Sequence, residues 1–152
     1  MELRDKIVES TREIFSSMVM MEVATSSVPL KPSSNHKDSV TGLIGLSGTC
    51  KGVLAIHMPQ KFALLVTSGF LGMDLEEINA DVEDAIGELA NMLGGSVKAF
   101  LSENGRDINL SMPSTISGED YIFQTASEDV EKTVIHFNTD SGHFHVELQL
   151  DK

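Results

Sequence analysis

A single cysteine, Cys50, leaves this chain of 152 residues no intrachain disulfide to close. Basic residues are scarce too: 11 Lys and Arg stand against 23 Asp and Glu, a formal net charge of -12. Phosphate contacts need clustered Lys and Arg, so this balance argues against a nucleic-acid partner. It suits solubility, or a partner with a basic surface. No apolar run reaches the roughly 18 residues that span a bilayer. The opening MELRDKIVES is charged, unlike a signal peptide. With neither disulfide nor spanning segment, the expectation is a reducing, cytoplasmic setting. There is no low-complexity segment and no short internal repeat. What is present is an ordinary globular composition, 41% hydrophobic with 22% charged residues. It is enough for one domain over residues 1–152 with a real core.

Periodicity divides the chain. Leu3, Ile7, Ile14 and Met18, with Phe15 beside them, predict an amphipathic helix over 3–21. Met18, Met20 and Met21 are expected to pack at its end. The prolines and serines of Val28–Ser39 predict a loop. Residues 40–58 read as two strands around a turn at SGTCKG, with Cys50 a turn residue and no phosphate-binding loop. Pro59 opens a second helix, buried through Phe62, Leu65, Val66 and Phe70 and closed by Gly72. A third helix starts near Asp81, its expected N-cap, and runs to about Ser102. After it the period becomes two: RDINLSMP, YIFQTAS, EKTVIHFN and HFHVELQL are strand candidates. In the last, Phe144, Val146, Leu148 and Leu150 point inward, and His143, His145, Glu147 and Gln149 outward. TDSG joins it to the preceding strand as a hairpin. The sum is an α+β fold, a mostly antiparallel sheet with three helices packed on one face.

The third helix is unusual. DAIGELANMLGGSVKAF holds three glycines, and a glycine inside a helix costs about 1 kcal/mol against alanine. At 100° per residue, Val82, Ile86, Leu89, Leu93, Val97 and Phe100 fall in one core-facing stripe. Asp84, Glu88, Asn91, Gly95 and Lys98 fall on the opposite side. Glu88 and Asn91 are therefore outward neighbours at i, i+3, with Gly95 one turn beyond, where a missing side chain lets another molecule approach. By spacing alone such a pair marks a solvated helix face, and Glu76 with Asn79 repeats it.

The longer string is more specific. GELANMLGGSVKAFL resembles the signature helix of the CheC/CheX/FliY phosphatases, in particular the single-domain CheX branch. EIFSSMVMMEV, GLIGLSGTCKGVLAIHMP and INLSMPSTISGEDY resemble the family's first helix, first hairpin and post-signature segment, in the same order. The resemblance implies a phosphatase that removes the aspartyl phosphate of a CheY-like receiver, and a homodimer with paired sheets. It implies catalytic roles for Glu88 and Asn91. The first helix offers Glu13 and Ser16 but no carboxamide, so a single site on the third helix is expected.

In-line attack of water on an aspartyl phosphate passes a loose transition state, so catalysis is positioning and charge stabilisation. A neutral amide such as Asn91 orients water without repelling the phosphoryl group. By resemblance, Glu88 pairs with the receiver's active-site lysine. Asp84, Gly95 and Lys98 are expected to contact the partner. The Mg²⁺ comes with the receiver, so no cofactor or metal of the chain's own is expected. The alternative is a non-catalytic receiver-binding or flagellar-switch module using the same face. His136, His143 and His145 share one face of the last hairpin, with His136 opposite His145. That could hold a metal, but the stronger expectation is a solvated strand face.

Overall fold

The computed structural model describes residues 2–26, 35–103, 107–123 and 130–151. Among these residues three α-helices are found: α1 (Leu3–Ile14), α2 (Gln60–Leu71) and α3 (Ala80–Glu103). The strands are β1 (Ala24–Thr25), β2 (Asn35–Gly48), β3 (Gly52–Pro59), β4 (Ile108–Leu110), β5 (Ser114–Ile122), β6 (Val130–Thr139) and β7 (Gly142–Asp151). They form one antiparallel sheet in the order β1-β6-β7-β3-β2-β4, with β5 also paired to β2. The 14 residues of β2 make this possible. One edge takes β3, and the other takes β4 at one end and β5 at the other. The predicted α+β class, with its helices on one face, is the class observed. No helix among the described residues is long and apolar enough to cross a membrane.

Strict alternation along β7 builds the core. Phe144, Val146, Leu148 and Leu150 are buried on the helix side, with Leu54, Ile56 and Met58 of β3 and Val40, Ile44 and Leu46 of β2 beside them. Phe144 stacks on Phe15 at 4.6 Å between ring centroids and on Phe137 at 5.0 Å. From above, α3 contributes Val82, Ile86, Leu89, Leu93 and Val97, all buried; Phe100, at the stripe's end, is only partly so. Burying a large apolar side chain is worth about 1.5–3 kcal/mol, so this layer is the main source of stability.

Four expectations are corrected. The chain after α1 widens into a π-turn, Phe15–Val19, and Met20 adopts a left-handed conformation with φ 60°. The extra residue per turn rotates Val19 into the core and Met18 out, so Met18 and Met20 are 40% and 78% exposed. Leu65 is 48% exposed; Ala63 and Thr67 take its place on the buried side of α2. The cap of α3 is Asn79, whose Oδ1 accepts from the Val82 N–H at 3.1 Å, two residues before Asp81. Asn35–Ser39 of the expected loop is strand, while 28–34 lies outside the described residues. This extension of β2 pairs with β5 (Lys37 with Asp120, Ser39 with Gly118), which itself begins earlier than YIFQTAS. Of that segment, 124–127 lies outside the described residues. Two polar strands that satisfy each other's backbone groups carry no apolar alternation by which to be recognised.

Candidate functional site

Close approach of α3 to the sheet explains two of its glycines. A Cβ at Gly94 would lie 2.9 Å from Ile44 Cγ2 of β2. A Cβ at Gly42, in β2, would lie 2.6 Å from the Ile86 carbonyl oxygen of α3. Bare backbone on each element therefore meets the other at two points. Gly87 is the third contact: a Cβ there would meet Thr115 Oγ1 at 3.1 Å. Thr115 in turn donates to the Glu83 carbonyl at 2.7 Å, fastening the first half of α3 to the start of β5. Gly95 is different, because a Cβ there would meet nothing within 4 Å.

The outward face matches the helical-wheel expectation. Asp84, Glu88, Gly95 and Lys98 are exposed, and Asn91 is half-buried. Among the described residues, no hydrogen bond or ion pair ties the Glu88 or Asn91 side chain to a neighbour. Both are thus available to a molecule docking on α3, and Gly95 leaves the next turn bare. Asp81 and Glu83 in the first turn sit favourably against the helix dipole. On α1 and its π-turn, Glu13 and Ser16 are exposed but bring no amide, so only α3 carries the Glu/Asn pair expected of a site.

The opposite face of the sheet is a correction to the expected solvated surface. His136 does oppose His145, as the hairpin register predicts, with ring centroids 5.2 Å apart. Glu147 and Gln149, however, are only 4% and 3% exposed. They belong to a polar layer that includes His57 of β3 and His36 of β2. Thr41 Oγ1 lies 2.7 Å from both His57 Nδ1 and the Tyr121 hydroxyl. His57 Nε2 lies 3.2 Å from Glu147 Oε1, and Lys132 Nζ lies 3.5 Å from Glu147 Oε2. Gln149 donates to the same carboxylate. Burial pushes the Glu147 pKa upward, but the hydrogen bonds from His57 and Gln149, together with electrostatic attraction to His57 and Lys132, outweigh it and hold the carboxyl at about 2. Burial, reinforced by His57, lowers His36 to about 4; burial and then the other three imidazoles lower His145 to about 3. One signal for this layer was present in the sequence: His57 sits on the same strand parity as Ala55 and Val53, opposite to Leu54, Ile56 and Met58. His36 was hidden in the stretch read as loop.

The family model described as chemotaxis phosphatase CheX matches residues 40–138. CheY-P phosphatase CheX of Thermotoga maritima is 25% identical over 112 residues, 73% of this chain and 72% of that protein. The crystal structure of a chemotaxis protein CheX from Desulfovibrio desulfuricans superposes with a TM-score of 0.86 at 28% identity, covering 99% of this chain and all (100%) of that one. A CheX–CheY–BeF3–Mg²⁺ complex from Borrelia burgdorferi shares the fold, with a TM-score of 0.80 at 18% identity and 99% of each chain covered.

Proposed function

The chain belongs to the chemotaxis phosphatase CheX family, and from that premise we propose that it hydrolyses the aspartyl phosphate of a CheY-like receiver, with Asn91 positioning the attacking water and Glu88 anchoring the receiver. The observation that carries this reading is the outward pair itself: an exposed carboxylate and a half-buried amide one helical turn apart, with a bare glycine beyond them. The Thermotoga relative is a phosphatase of phosphorylated CheY, and the Borrelia relative is held in complex with CheY.

The chemistry asks little of the protein beyond placement. The Asn91 oxygen accepts from a water and aims it along the line opposite the leaving carboxylate. An amide is too weakly basic to take the proton, and being neutral it does not repel the phosphoryl oxygens. Glu88 supplies a negative charge for the lysine of the receiver's own active site. The receiver brings its Mg²⁺, as the composition of the Borrelia complex supports. Asp84 and Lys98 flank the docking face, and the protein acts in the cytoplasm with its substrate. It works as a homodimer, for which the outer edge of β5 and its exposed Ile116 and Ile122 are the support. Light scattering on the purified protein measures that mass directly.

The test of function is the decay of a phosphorylated receiver with and without the protein. Acceleration supports the phosphatase; tight binding with no acceleration would establish the non-catalytic module in its place. Two variants refine the assignment. Glu88→Ala should weaken receiver binding as well as rate, seen as a higher KM. Gly95→Ala should raise thermal stability by about 0.5–1 kcal/mol, because the added methyl meets nothing and alanine favours the helix. Its receiver affinity should nevertheless fall, and an unchanged affinity would show that the bare turn is not part of the interface.

A further inference from the structure

The sheet face turned away from the helices gathers imidazoles from three strands. His57 of β3 and His145 of β7 are register partners, so their side chains project side by side. Asp38 of β2 has φ 45°, a left-handed residue that bends the strand beyond it. The bend lays the His36 ring on His57, with centroids 4.3 Å apart. One nitrogen from each of His36, His57 and His145 lies within 4.8 Å of the other two. His36 is 5% exposed, and its Nε2 has no hydrogen-bond partner among the described residues. A buried nitrogen left in that state forfeits the hydrogen bonds that water gave it, and a ligand would restore a partner. A cavity of about 100 Å³ adjoins all three rings and has room for an ion and a water.

We propose that His36, His57 and His145 form a binding site for a divalent d-block cation of the Zn²⁺ type, with Glu147 orienting His57 from behind. Imidazole nitrogen is the donor such ions favour, and three histidines with one open position make a recurrent ligand set. Both nitrogens of His57 have partners, so the cation must replace one. The Thr41 hydroxyl is the partner that leaves Nδ1. It is neutral, and it keeps the Tyr121 hydroxyl at 2.7 Å, so nothing is stranded. The Glu147 contact on Nε2 then remains, giving a carboxylate–histidine–metal relay that fixes the tautomer and offsets the added charge. Metal–nitrogen bonds of about 2.0–2.1 Å set tetrahedral ligands roughly 3.3 Å apart. Binding therefore draws the three nitrogens inward and turns the His36 ring off His57, since the ion must lie in the plane of each ring. The site lies across the sheet from Asn91, so its occupancy is read without reference to phosphatase rate.

The experiment is a Co²⁺ titration of tag-free protein stripped with a chelator. The expected result is visible d–d absorption of a four- or five-coordinate ion, saturating at one equivalent and abolished by Zn²⁺. Zn²⁺ should also raise the melting temperature of the stripped protein. His36→Gln and His145→Gln should each lose the one-equivalent absorption, and Glu147→Gln should weaken affinity about 10–100-fold. Cys50→Ser should leave the absorption intact, which excludes the thiol. Circular dichroism of the stripped variants establishes that they are folded. If His145→Gln is not, His36→Gln decides, because His36 comes from the end of β2 rather than from the centre of the sheet. Absent absorption at one equivalent, or binding that survives His36→Gln unchanged, overturns the proposal.

Discussion

Asn91→Ala should reduce the accelerated decay of a phosphorylated receiver by about 100-fold or more, while receiver affinity changes by no more than a few-fold. The size follows from the role: when catalysis is mostly placement, losing the group that aligns the nucleophile costs on that order. The affinity is spared because Glu88, a full turn away, carries the anchoring charge in the proposed mechanism. Loss of fold cannot mimic the result. Asn91 is half-buried on a helix, its amide makes no hydrogen bond among the described residues, and alanine has the better helix propensity by up to about 0.7 kcal/mol. The variant should melt no lower than the parent. Asn91→Asp separates the amide from its shape: the side chain has the same size, but its charge faces the incoming phosphoryl oxygens, so it should fail as alanine does. Single-turnover decay against a fixed receiver concentration, with affinity from an independent titration, measures both quantities. Full activity in Asn91→Ala would end the water-positioning assignment.

Legibility in the sequence followed apolar patterning. The stripe from Val82 to Val97 is long, periodic and buried as read, so the opposite face, with Glu88, Asn91 and Gly95, was placed by subtraction. Strand β7 alternates over its length, and its helix-side residues were read without error. The same alternation misled on the other side, where polar residues implied solvent, although Glu147 and Gln149 are buried. Burial there depends on partners from other strands, His57 of β3 and Lys132 of β6, and on mutual hydrogen bonds that stand in for water. Hydropathy records neither. Met18 failed for a local reason: one widened turn shifts the helical phase, and nothing in FSSMV announces it. The glycines of α3 were legible only in part. Helix geometry separates Gly95 from Gly87 and Gly94, but the partners of the latter two, Thr115 and Ile44, come from strands that only the tertiary structure brings near.

Gly42→Ala should damage the face that α3 presents, although Gly42 lies in a strand and touches neither Glu88 nor Asn91. The new Cβ would stand 2.6 Å from the Ile86 carbonyl oxygen and 3.0 Å from Ile86 Cγ2. A backbone oxygen cannot swing away as a side-chain tip does, so α3 itself must move. It is held against moving at two other places: Gly94 seated on Ile44, and the Thr115 hydroxyl bonded to the Glu83 carbonyl. Overpacking of this kind costs about 1–3 kcal/mol, and for a chain of this size each kcal/mol lowers the melting temperature by about 2–4 °C. Because Ile86 precedes Glu88 by two residues, the displaced turn is the one that presents the anchoring carboxylate. Phosphatase rate should therefore fall at temperatures where the variant is fully folded. Gly94→Ala should lie between, since its obstacle is the Ile44 methyl at 2.9 Å and helix propensity returns about 1 kcal/mol. Gly95→Ala should lie at the other end, more stable than the parent. The stability order Gly42→Ala, Gly94→Ala, parent, Gly95→Ala is the signature of a helix seated on a strand by two bare backbone positions and left open at a third. A Gly42→Ala protein that melts and turns over like the parent would mean that α3 rides freely on the sheet, and that its close approach does nothing to hold the catalytic face.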